Sequence, residues 1–187
     1  MAAAAQRLPK SVTRTLRLDD DVDSALEKMA EEKGESVNAV VGRALRRLVE
    51  WDRLAERAGL VAISPLTLGR LMDTLTQEQA RELGEQIGAE VWKPIIISRF
   101  GSITLDSVLK SIELISRYMG RFDFIYSTEG TKRVVTIRHS AGVRWSEFYS
   151  GAAVPLFAEA LGITVTPVVS EELASLEFEA PRSKSDG

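Results

Sequence analysis

Between Ser11 and about Arg57 the chain crowds one alternating segment and two amphipathic helical patterns into a very short span. The segment Val12-Thr13-Arg14-Thr15-Leu16-Arg17-Leu18 switches between polar and mainly apolar residues, the period of a half-buried strand. A lone strand leaves a row of backbone donors and acceptors unpaired, so it needs a partner. Asp19-Asp20-Asp21 then opens a first helix, whose stripe is Val22, Ala25, Leu26, Met29 and Ala30, and Gly34 closes it. Asp19 is placed to cap it, and the acids after it complement the helix dipole. Ser36 caps a second helix, with Val37, Val40, Val41, Ala44, Leu45, Leu48 and Val49 along one face and mostly arginines along the other. About fifty residues bury too little surface to stand alone. The stripes therefore predict an intertwined dimer, with Trp51 extending its interface and the strands of two copies paired as a ribbon.

This pattern resembles the ribbon-helix-helix family of DNA-binding transcriptional regulators over roughly the first third of the chain. The resemblance rests on the alternating strand, the acidic cap, Val22 in the first turn, Leu26, Met29, and the Gly34-Glu35-Ser36 turn. It implies a two-stranded ribbon in the DNA major groove, with double-stranded DNA as partner and a homo-oligomer, dimer or dimer of dimers. Thr13, Thr15 and Arg17 point away from Leu16 and Leu18, and in this family such positions read base edges. Arginine can pair bidentately with guanine, and threonine can bond a base or touch the thymine methyl. Arg7, Lys10 and Arg14 are the expected phosphate contacts, together with the helix start at Ser36, Val37 and Asn38, whose free amides suit an anion. Two plainer alternatives stay open: an edge ribbon with ordinary surface residues, and Ser36 as a cap alone.

The net charge of −3 does not favour nucleic acid, but before Asp19 the chain has Arg7, Lys10, Arg14 and Arg17 and no acid. That arm supplies local phosphate attraction whatever the total charge. A length of 187 residues allows two small domains, and the absence of cysteine excludes disulfides and thiol chemistry. With no long apolar run and no signal-peptide pattern in Met1–Ala5, the expectation is a cytoplasmic protein without membrane association.

Residues 1–58 are thus expected to form the ribbon-helix-helix domain and 59–91 a helical connector. Ser64-Pro65 and the capping-box spacing of Thr76 to Gln79 start its two helices. Glu78, Glu82 and Glu85 would repel phosphate, which argues against a second DNA-reading helix pair. Residues 92–180 predict strand (95–100), helix (to Met119), strand (122–126), a hairpin turn at 127–130, strand (133–138), helix (143–161, interrupted by Pro155) and strand (163–169, with 173–178 extending or following it). The order βαββαβ is that of a ferredoxin-like, ACT-like domain, and 181–187 read as a loose tail. The expected fold class is therefore α+β, a ribbon-helix-helix followed by a connector and a ferredoxin-like domain for oligomerisation or effector sensing. Nickel-responsive ribbon-helix-helix repressors share this architecture. Their metal site needs several imidazole or thiolate ligands, and this chain has one histidine and no cysteine, so no metal and no cofactor is expected.

His139-Ser140-Ala141-Gly142-Val143-Arg144-Trp145-Ser146 is the most distinctive stretch of the second half. His139, Arg144 and Trp145, with Gly101 at a tight turn, are the candidate residues for a small-molecule effector. The plainer alternative is a structural turn with Trp145 in the core. A hydrolase centred on His139 and its neighbouring serines would need an orienting acid and an oxyanion hole, and no G-x-S-x-G elbow is present, so no enzyme is expected. The expected function is sequence-specific transcriptional regulation. The alternative is an antitoxin-like or scaffold protein whose second domain binds another protein, against which the folded, apolar second half argues.

Overall fold

The computed structural model describes residues 12–162 and 164–179; the expectations for Arg7, Lys10 and the 181–187 tail lie outside the described residues. The protein is α+β and forms two compact units, the first ending at Arg46 and the second beginning at Arg47.

In the first unit residues 12–19 belong to no helix or strand and are exposed. Helix α1 (Asp20–Lys33) begins after Asp19, which occupies the cap position but makes no side-chain capping bond. Asp20, Asp21 and Asp23 instead meet the positive end of the helix dipole. Gly34 ends the helix at φ 63°, and the Gly34 and Glu35 amides donate back to Glu31 and Ala30 carbonyls at 3.1 and 3.0 Å. This paired return is the Schellman closure, which needs a left-handed residue and so favours glycine. Helix α2 (Val37–Arg47) starts with the Ala39 amide donating to the Ser36 hydroxyl at 3.2 Å.

The second unit opens on a π-helical turn, Leu48–Asp52, and the short helix α3 (Arg53–Arg57). Helices α4 (Pro65–Asp73) and α5 (Gln77–Ile87) start as their caps predict. The Thr67 amide donates to Ser64 Oγ at 3.1 Å, and both bonds of the Thr76–Gln79 capping box are present. A second π turn, Gly88–Trp92, leads directly into α6 (Lys93–Phe100). Helix α7 (Leu105–Met119), strands β1 (Asp123–Glu129) and β2 (Lys132–Arg138), helix α8 (Val143–Leu161), and strands β3 (Pro167–Val169) and β4 (Leu173–Glu179) complete the unit.

Two expectations are overturned here. Ile95 to Phe100 is helix, not strand. Its β-branched run suits a strand in isolation, but the chain enters it from α5 already helical, and Ile96 is 1% exposed in the core. The π turn breaks the hydrogen-bond ladder just where Pro94 supplies no N–H, which removes the usual objection to proline in a helix. Gly101 is accordingly the left-handed end of α6, at φ 83°, rather than a strand-to-helix turn. Without that strand the ferredoxin-like topology goes too. The sheet is wholly antiparallel in the order β1-β2-β4-β3, with no interleaved crossovers.

Smaller differences are local. The β1–β2 hairpin turns at Gly130-Thr131, later than the expected 127–130, because Glu129 still pairs with Lys132. Gly130 has φ 60° and no other residue of the turn has positive φ, a backbone that a two-residue hairpin commonly uses. Helix α8 runs unbroken through Pro155.

One face of the sheet is apolar with period two: Val135 and Ile137 on β2, Ala174, Leu176 and Phe178 on β4 are buried. Helix α8 lies against this face, with the Phe157 and Phe178 rings 5.6 Å apart. On its other side α8 packs along α5, the segment expected to serve as a connector. The two backbones approach through glycine. A Cβ on Gly88 would lie 2.6 Å from the Ala152 carbonyl oxygen, and one on Gly84 or Gly151 would overlap the carbonyl oxygen of Phe148 or Arg81.

Candidate functional site

The second unit holds a partly open cavity of about 340 Å³, bordered by α4, α5, the second π turn, α6, α7, α8 and β2. Its walls are almost entirely hydrocarbon: Met72 from α4, Leu83 from α5, Ile96 from α6, Val108 and Ile112 from α7, and Ala153 from α8. Trp92 and Trp145 also border it. The volume falls within the range of small-molecule sites, which are concave and mostly apolar with a few placed polar groups.

Besides the two indoles, its polar side chains are Arg121, Tyr149 and Ser111, whose hydroxyl donates to the Ser107 carbonyl at 2.7 Å. Arg121 follows Gly120, the left-handed end of α7, so the turn into β1 carries its side chain past the cavity. Its guanidinium carbon lies 5.3 Å from the centre of the Trp145 ring, a cation–π geometry. Its Nε is buried and has no hydrogen-bond partner, which is unusual for so strong a donor. Among the described residues Arg121 makes no ion pair. Tyr149, one turn after Trp145 on α8, sits at the centre of an aromatic group: Phe122, His139, Trp145 and Phe148 have ring centres 5.0 to 5.7 Å from its own. Burial pushes the Tyr149 hydroxyl up to about 12, with Arg121 opposing the shift, so it stays a protonated donor.

Arg121 also borders two surface depressions next to the cavity. One includes Arg117, Asp123 and Arg138; the other includes Pro65, Asp73 and Ala141. It therefore stands between the apolar interior and solvent.

His139 and Ser146 form a closed network. The Ala141 amide donates to Nδ1 at 3.1 Å, so the ring proton is on Nε2, which donates to Ser146 Oγ at 3.0 Å. Ser146 in turn donates to the Ser170 carbonyl at 2.6 Å, and the His139 amide donates to the Glu172 carbonyl at 2.8 Å. In this arrangement the serine proton is directed at a carbonyl and the free imidazole lone pair is already occupied. The pair binds the start of α8 to the β3–β4 turn instead of setting a base against a nucleophile. Glu171 assists from that turn by accepting the Val143 amide at 3.1 Å.

Burial holds the His139 imidazole below its ordinary value of 6.5, with Glu172 opposing the shift. The folded state thus resists protonation more than the unfolded state does. The stability this contributes is complete above pH 6.5 and is lost as the pH falls below it toward the lowered folded value. Denaturation midpoints should accordingly fall between pH 7.5 and 5.5. A His139→Gln variant should be weaker at pH 7.5 yet lose less over that interval. Parallel pH profiles for the two proteins would exclude this role for His139.

Of the expected effector residues, Trp145 borders the cavity and His139 touches the same aromatic group through Tyr149. Arg144 faces outward, 3.7 Å from Asp73, and Gly101 does not border the cavity. Arg121 and Tyr149 escaped sequence reasoning. Arg121 reads as an ordinary cation between a helix stop and a strand, and only the Trp145-to-Tyr149 spacing on one helical face hinted at an inward aromatic group.

In the first unit Thr13, Arg14, Thr15 and Arg17 are all exposed, as are Ser36 and Asn38, with Val37 half-buried. The Ser36 hydroxyl is committed to the Ala39 amide, while the earlier amides, of Val37 and Asn38, have no acceptor within their helix. Glu35 beside them is held below the usual carboxylate value chiefly by its hydrogen bonds to Arg43, one of them 2.6 Å long. That bidentate pair balances an acid that would otherwise oppose an anion at this helix start.

No protein-family model, curated protein or solved structure matches the chain. Among the described residues no helix is long and apolar enough to cross a membrane, and no group of three or more His, Cys, Asp or Glu side chains could hold a metal ion.

Proposed function

We propose that this protein is a homo-oligomeric, sequence-specific DNA-binding transcriptional regulator. Segments 12–18 of two copies pair as a ribbon in the major groove, presenting Thr13, Thr15 and Arg17 to base edges. The second unit sets the oligomeric state or senses an effector. One observation carries most of the weight: among the described residues up to Arg46 only Ala30 and Val40 are buried. Val12, Leu16, Leu18, Val22, Met29 and Leu45 are exposed, Leu16 by 57%. A helix pair with so little buried surface does not repay its ordering entropy alone. A second copy that covers these side chains and pairs the strand would supply what is missing. Regulation then follows if an effector bound in the second unit favours one spacing of two ribbons over another.

The test is genome-wide DNA capture with the full chain and with a chain lacking residues 1–19. Discrete enriched sites are expected for the first and none for the second. Equal enrichment from both, or no enriched sites with the full chain, overturns the proposal.

A further inference from the structure

The cavity of the second unit combines three features that single out a class of ligand. It is large for a packed interior: an engineered apolar cavity of about 150 Å³ already admits benzene, and this one is about 340 Å³. Its walls are hydrocarbon, so a polar molecule entering it would lose its hydration without replacement. Its mouth holds one cation, Arg121, with a buried donor that nothing satisfies and no carboxylate paired to it.

A buried, unsatisfied guanidinium donor is costly, and among the described residues Nε has no acceptor and the guanidinium has no carboxylate. Trp145 supplies only the weaker attraction of its ring face. Met119 and Phe122 border the same cavity, and the Tyr149 hydroxyl oxygen accepts a hydrogen bond from Arg121, but a neutral acceptor leaves the guanidinium charge unbalanced and its Nε still without a partner. The missing partner is an anionic acceptor, and the missing content of the cavity is hydrocarbon. One molecule with a single carboxylate at the end of an apolar body supplies both.

We propose that the cavity binds an apolar monocarboxylate, its body against Met72, Ile96, Val108 and Ala153 and its carboxylate on the Arg121 guanidinium, with the Tyr149 hydroxyl as a second donor. The carboxylate sits where the cavity meets the two surface depressions, so the acid enters body first and its charge is never carried through the apolar interior. This inference names the effector class for the sensing role proposed above, but the cavity and Arg121 lie within one unit and bind whether or not the chain binds DNA.

The test uses full-length protein, tryptophan emission and isothermal titration, because Trp92 and Trp145 both border the cavity. Decanoate and 2-naphthoate are each titrated beside the alcohol of the same skeleton, below any micelle concentration. At least one acid should bind saturably, with an affinity about tenfold or more above its alcohol. Arg121→Gln should remove that preference while leaving alcohol binding within about twofold. Saturable binding of neither acid, equal binding of acid and alcohol by the unaltered protein, or an acid preference that survives Arg121→Gln each overturns the proposal. The acid–alcohol comparison needs no variant, so a misfolded Arg121→Gln protein does not spoil the test. DNA capture is scored separately: its loss with acid binding intact refutes the regulator proposal alone, and the converse refutes the ligand assignment alone.

Discussion

Gly151→Val should cost the second unit about 3 kcal/mol or more and lower its melting temperature by roughly 10 °C. A Cβ at Gly151 would overlap the Arg81 carbonyl oxygen and come within 3.1 Å of the Glu85 amide nitrogen, all of it backbone. Rotamer changes cannot relieve a clash with backbone, so α5 and α8 must separate. Because α8 also carries Leu156 and Phe157 into the core and borders the cavity, separation loosens both. Gly69→Ala is the matched control: that glycine is also helical, but a Cβ there meets nothing within 4 Å. It should gain up to about 1 kcal/mol from helix propensity. Thermal melts followed by circular dichroism separate the cases, and a Gly151→Val protein that melts like the unaltered one would show that the helix contact is not tight.

Arg17→Ala should weaken binding to captured DNA sites by roughly ten- to a hundredfold, the worth of one good bidentate base contact. Binding to scrambled DNA should change far less, because phosphate attraction does not depend on sequence. Arg17 is exposed, and in the proposed ribbon the alternation of a strand would turn Leu16 and Leu18 to the opposite face. Gel shifts on both DNAs at one salt concentration decide the matter. An equal loss on both would make Arg17 a phosphate contact and remove base reading from its role.

Helix ends were legible in the sequence because they are local chemistry. Ser64 before Pro65, the Thr76–Gln79 box, and Gly34, Gly120 and Gly162 as left-handed stops all act within a few residues of chain. The alternation of β2 and β4 was legible for the same reason, since one buried sheet face imposes period two directly. Ile95 to Ile97 misled because a short apolar run carries no period of its own. Its state depended on entering from α5 and on packing Ile96 into the core. The ferredoxin-like expectation failed with it, since that topology required a strand before α7.

The sequence by itself determined an α+β chain, the starts and stops of most helices, and an N-terminal segment whose apolar residues outnumber what it can bury. These follow from hydrogen bonds and periodicities that span one or two turns. Only the tertiary structure decided the sheet order, the glycine contact of α5 with α8, and the meeting of Arg121, Trp145 and Tyr149 at the mouth of an apolar cavity. Each of those joins residues far apart in the chain, and their proximity is set by how layers pack, which no local pattern records.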